Sequence, residues 1–145
     1  MPLRFVSLCG FGLLVIGVIA LFMNHSLLAD GYFSIGVQVI AVFLMLWARM
    51  TFGTRSFHAA ANPTEGGLVT SGPYRFIRHP IYAAILYFMV AGAISHISIL
   101  NIGIAVIAIA GVAMRVYAEE VLLVQRYPEY REYAARTKRF IPFIL

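Results

Sequence analysis

The stretch Phe5–Met23, FVSLCGFGLLVIGVIALFM, runs for 19 residues without a charge. At 1.5 Å per helical residue it reaches roughly 28 Å, enough for the hydrocarbon core of a bilayer. It is longer than the apolar region of a typical signal peptide, and no small-x-small cleavage pattern follows it. It therefore reads as a retained transmembrane helix. Three more apolar runs follow, at Tyr32–Trp47, Ile81–Ile94 and Ile99–Tyr117. Trp47 beside Arg49 suits an interfacial anchor. The third run is short for a full crossing, so its helix either begins earlier, near Arg78, or lies tilted or against a thinned bilayer. In the fourth, Gly103, Ala105, Ala108, Ala110, Gly111 and Ala113 permit close backbone approach, which predicts a tight hairpin between the third and fourth spans.

Composition agrees: 61% of the chain is hydrophobic and 12% charged, about half the charge of a soluble domain. The net charge of +5 does not point to nucleic acid, because the basic residues flank the apolar runs. All 11 Lys and Arg residues fall near the amino terminus, between Arg49 and Arg78, or from Arg115 onward; the turns at Asn24–Gly31 and Ser95–Ser98 have none. Four spans with both termini cytoplasmic satisfy this distribution. The expected protein is an all-α, multi-pass integral membrane protein of about four transmembrane helices. It forms one membrane domain over 1–145: two generic helices in 1–50, a cytosolic loop at 51–80, a transmembrane hairpin at 81–117, and an interfacial amphipathic helix and tail at 118–145. Cys9 alone builds neither a disulfide nor a metal site and reads as packing. The histidines have no ligand spacing, so no metal site is expected.

Two polar groups are expected at the cytosolic edge. One runs from Gly66-Gly67-Leu68-Val69 through Tyr74 to Arg78-His79-Pro80-Ile81-Tyr82; the other is Arg115 with Glu119 and Glu120. Arg115 and Glu119 are one turn apart. Glu120 points about 100° away, so the two carboxylates do not easily address one small site, and Glu119 is taken as the buried one. Glu119 reads either as a functional group at the bilayer edge or as an interfacial ion pair with Arg78 or Arg126. His79 before Pro80 reads either as a helix start or as part of an anion-binding helix terminus.

These residues together resemble the isoprenylcysteine carboxyl methyltransferase family, which groups with the phospholipid methyltransferases. The pattern is RHPxYxG, a hairpin, an acidic pair, then tyrosines (Tyr127, Tyr130 and Tyr133 here) and a basic-aromatic-Ile-Pro ending (Arg139-Phe140-Ile141-Pro142 here). It covers residues 66–145, and Ala84 stands where the pattern has glycine. The resemblance implies an S-adenosyl-L-methionine-dependent membrane enzyme acting on a lipid-like or amphiphilic acceptor. It implies a cytosolic-face cofactor pocket from Gly66, Gly67, Leu68, Val69, Tyr74, Arg78, His79, Pro80, Ile81 and Tyr82, completed by Glu119 and Glu120. Arg115 takes the place of the family's substrate-contacting arginine, and Glu119 either fixes a cofactor group or acts as a base. Competing readings are a sterol-reductase-like NADPH enzyme, whose larger set of spans is absent here, a small four-span transporter, whose mid-membrane acidic residue is absent from the first two spans, and a structural membrane subunit. The acceptor and the oligomeric state are not legible.

Overall fold

The computed structural model describes residues 3–53 and 67–144. Among these residues there are five α-helices, α1 (Leu3–Met23), α2 (Tyr32–Phe52), α3 (Pro80–Ser95), α4 (Ile99–Arg126) and α5 (Tyr130–Arg136), with a 3-10 turn at Gly72–Arg75. Among the described residues α1, α2 and α4 are long and apolar enough to cross a membrane, and α3 is a shorter apolar helix. The protein is thus an all-helical integral membrane protein, with three candidate spans and a shorter apolar helix among the described residues. Pro80 fixes the start of α3, so the helix does not reach back to Arg78. Its 16 residues reach only about 24 Å.

Packing differs from the expected hairpin. The close-packed face of α4 receives α1, whereas α3 packs chiefly on α2 and less on α4. The reason lies in α1, whose buried residues Ser7, Gly10, Leu14, Gly17 and Leu21 recur at alternating spacings of three and four along one stripe. A Cβ on Gly10 would lie 2.5 Å from the Gly111 carbonyl oxygen, and one on Gly111 would lie 2.6 Å from the Gly10 oxygen. The backbones therefore touch where both helices lack a side chain. Of the six small residues singled out on α4, Ala108 and Gly111 are buried, whereas Gly103, Ala110 and Ala113 face outward. Leu14 and Leu21 join Met89, Ala93, Ile104, Ala108, Val112 and Val116 in the apolar core. Past Tyr117, α4 continues to Arg126 and α5 follows it.

At one end of the bundle, the turn after α1 is bound to the turn after α3. Asn101, 1% exposed, accepts from Asn24 Nδ2 (2.8 Å) and donates through Nδ2 to Ser26 Oγ (3.0 Å) and the His96 carbonyl (2.5 Å). Gln38, inside α2, accepts from the Ala29 N–H and donates to the Leu27 and Phe88 carbonyls. Polar groups at this depth require such partners. Asn101→Leu is expected to cost about 1–3 kcal/mol by removing the amide that joins Asn24, Ser26 and the His96 carbonyl. Chemical denaturation in mixed micelles checks it.

Candidate functional site

At the other end, the start of α3 meets the end of α4. The 3-10 turn first docks on the last turn of α2: Gly72 sits against Thr51 with φ +55°, leaving no room for a side chain, and Tyr74 packs on Phe52 at 5.4 Å between ring centroids. The chain then runs beside the tail. Arg78 N–H donates to the Lys138 carbonyl (2.7 Å) and His79 N–H to the Arg139 carbonyl (3.1 Å), around a parallel bridge between Ile77 and Lys138. This strap fixes the backbone before α3 from a segment some sixty residues later.

His79 is the N-cap residue of α3, yet its imidazole makes no capping bond. The ring instead stands between the acidic residues, with Nε2 3.2 Å from Glu120 Oε1 and Nδ1 3.9 Å from Glu119 Oε2. The expectation that the two carboxylates diverge too far for one site is corrected here. They do diverge along α4, but the two nitrogens of one ring point in opposite directions and span the gap.

Glu120 is the more enclosed acid, its side chain 16% exposed against 23% for Glu119; that reverses the expected order. It accepts from Arg78 Nε (3.1 Å) and from Arg139 Nη2 (2.8 Å) and Nε (3.2 Å). Arg78 also donates through Nη1 to the Ala134 and Thr137 carbonyls, both at 2.6 Å, where a cation is favoured at the end of α5. Glu119 accepts from the Tyr82 hydroxyl and from Arg115 Nη2 at 3.4 Å. Its arginine is therefore Arg115, not Arg78 or Arg126. Arg115 is 4% exposed, donates through Nε to Tyr82 Oη at 2.8 Å, and lies over the rings of Phe11 and Tyr82 at 5.2 and 5.4 Å. α1 thus forms one wall of the Arg115 pocket.

The structure brings Arg78, His79, Tyr82, Arg115, Glu119 and Glu120 together, with Pro80 and Ile81 supplying the helix start. Tyr74 joins through its carbonyl, which accepts from the Tyr133 hydroxyl at 2.6 Å. Gly67, Leu68 and Val69 lie on the approach to the 3-10 turn, Gly67 with φ +86°. Gly66 lies outside the described residues. Arg139 and Tyr130 are additions that sequence reasoning did not assign to the site; their signal was the tyrosine-rich and basic-aromatic ending. Burial pushes the Tyr133 hydroxyl up to about 12, and pushes Tyr74 and Tyr130 higher still. The hydrogen bond to Glu120 raises Arg139 further. In formal charge, three arginines face two carboxylates, leaving surplus positive charge beside the first turn of α3. The first intrahelical bond there runs from Ala83 N–H to the His79 carbonyl, so the N–H groups of Ile81 and Tyr82 lie ahead of the ladder and are available to an anion.

Comparison with known proteins places this arrangement. The chain is 30% identical over 130 residues to the nickel-cobalt-cadmium resistance protein NccN of Alcaligenes xylosoxydans xylosoxydans, covering 86% of this chain and 59% of that protein. It is 38% identical over 79 residues to the cobalt-zinc-cadmium resistance protein CzcN of Cupriavidus metallidurans, covering 52% of this chain and 35% of that one. The chain thus spans less than two thirds of the curated relatives it matches. No solved structure matches it. The model of the isoprenylcysteine carboxyl methyltransferase (ICMT) family matches residues 34–125, from early α2 through the acidic pair to the last turn of α4, and the chain belongs to that family.

Proposed function

We propose that this chain is an S-adenosyl-L-methionine-dependent methyltransferase of the membrane, acting on a lipid-like or amphiphilic acceptor, with both termini and the site on the cytoplasmic side. The observation that carries the reading is the meeting at His79 of the two family segments, Arg78–Tyr82 and Glu119–Glu120. The distribution of basic residues supports the orientation. The metal-resistance names of the relatives do not specify a methyl acceptor, so the acceptor is proposed by class alone.

The chemistry of the cluster suits the cofactor. Its amino-acid carboxylate matches the surplus positive charge and the free N–H groups at the start of α3, and its ammonium and ribose hydroxyls match the acidic pair. When bound, the cofactor supplies an electrophilic methyl group on a sulfonium, whose in-line transfer depends on positioning in a dry site. Glu119, oriented by Tyr82 and Arg115, fixes a cofactor group or takes a proton from the acceptor. Arg115, one turn earlier, orients a carboxylate or phosphate of the acceptor.

Calorimetry of the detergent-solubilised protein with S-adenosylhomocysteine tests the reading. Micromolar affinity is expected, weakened about tenfold or more in His79→Ala and in Glu119→Ala. Equal binding by both variants removes the site assignment, and tight NADPH association without nucleoside binding replaces the reading with a reductase.

A further inference from the structure

The tail beyond α5 follows α3 into the bundle. Residues 138–139 pair with residues 78–79 in parallel, so both segments run the same way, and for residues 78–79 that way leads into α3. Phe140 continues the course. Its carbonyl accepts from the Tyr87 hydroxyl at 2.5 Å, its ring packs on the apolar core, and it lies 6.2 Å from the His79 ring between centroids. Tyr87 belongs to the second turn of α3 and its side chain leans back toward the helix start. The bond therefore falls within the first two turns. Because α3 is shorter than the roughly 30 Å of a hydrocarbon core, those turns already lie in the apolar layer.

The backbone gives a second sign of dry surroundings. Four successive carbonyls of the tail have donors from within the protein. Lys138 is served by the Arg78 N–H and Arg139 by the His79 N–H; Ile141 is served by the Ile144 N–H at 3.2 Å, and Phe140 by Tyr87. Pro142 has no N–H to satisfy. Backbone within a bilayer needs such internal partners, whereas water supplies them at an aqueous surface. The turn closed by Ile141 and Ile144, with Phe143 at φ +67°, presents its apolar side chains outward: Phe143 is 86% exposed and Ile144 74%. Arg131, Arg136 and Lys138, exposed as well, come just before it. Basic and then apolar along the chain is also the order met on descending from headgroups to acyl chains.

We propose that Phe143 and Ile144 seat in the acyl layer of the leaflet around the start of α3, and that this anchorage holds the strap of residues 138–139 on residues 78–79. Lipid is then a partner of the site, keeping Arg139 on Glu120 and Phe140 beside His79. The anchor depends on the membrane character of the chain alone and stands apart from the nucleoside reading.

The chain has one tryptophan, Trp47, so Phe143→Trp in a Trp47→Phe background reports from a single place. In phosphatidylcholine vesicles this variant is expected to lose most of its emission when the acyl chains are dibrominated, and little of it to aqueous iodide. Undiminished emission over brominated chains, or strong quenching by iodide, overturns the anchor. Phe143→Asp tests the hold on the strap. In nanodiscs of the same lipid, hydrogen exchange at the Arg78 and His79 amides should quicken about tenfold, the lower end of what burying one aromatic side chain contributes. The Ala83 amide, bonded within α3 to the His79 carbonyl, should keep its rate. Unchanged exchange at Arg78 and His79 overturns the proposal even if residue 143 is quenched by lipid. Phe143→Trp keeps a bulky apolar side chain, so its quenching decides the matter if Phe143→Asp does not fold.

Discussion

Glu120→Gln should be the most damaging isosteric change in the protein, lowering both its stability and its affinity for S-adenosylhomocysteine. Glutamine matches glutamate in size but has one acceptor oxygen and turns an NH2 toward donors. Arg78 Nε, His79 Nε2 and Arg139 would then lose the charge that holds them. Breaking one partner out of an enclosed ionic network costs about 3–5 kcal/mol; half-exposed Arg139 places the expectation at the lower end, about 3 kcal/mol. Affinity should fall further than in His79→Ala, because Arg78 also anchors α5 and the strap beside α3. Denaturation in mixed micelles and calorimetry on the same sample read the two effects separately. Glu132→Gln is the internal comparison: its ion pair with Arg136 is one turn long and both side chains are more than 70% exposed, and such pairs contribute little. A Glu120→Gln variant as stable as Glu132→Gln would mean that the network is not what joins the tail to α3.

The second large effect is expected from Gly111→Ala, a change of one methyl group. The new Cβ would lie 2.6 Å from the Gly10 carbonyl oxygen and 3.0 Å from Leu13 Cβ. The first obstacle is backbone, so no rotamer relieves it and the two helices must separate. Overpacking of this kind costs about 1–3 kcal/mol, and the separation reaches Arg115 one turn away, whose guanidinium borders Ser7 and Phe11 of α1. Loss of the monodisperse peak in size-exclusion chromatography, or a clear fall in midpoint denaturant concentration, is the expected result. Gly103→Ala supplies the contrast, because a Cβ there meets nothing within 4 Å and its effect should be negligible.

Much of this was legible in the residues. Uncharged length announced the long spans, and the arginine distribution announced which turns share an end. The meeting of Arg78–Tyr82 with Arg115–Glu120 followed from antiparallel helices of similar depth. The partner of α4 was not legible, because small residues mark a close-packing face without saying which helix fills it, and α1 has Gly10 and Gly17 in register. The order of burial of the acidic pair was also out of reach. It depends on Arg139, which approaches only because the backbone of residues 138–139 pairs with residues 78–79. Gln38 and Asn101 look like polar blemishes in apolar helices until the turns they hold are known. Tyr130 was visible as one of several tyrosines, but its burial beside Glu120 depends on where α5 folds.

The pairing of α1 with α4 has a consequence for biosynthesis. Of these helices α1 leaves the ribosome first, yet the groove that fits Gly10 and Gly17 is on the last span to enter the bilayer. Until then its glycine-bearing stripe has only the edge of α3 around Met89 to meet, and the Arg115 wall is incomplete. The site therefore closes late, when α4 inserts and the strap reaches back to residues 78–79.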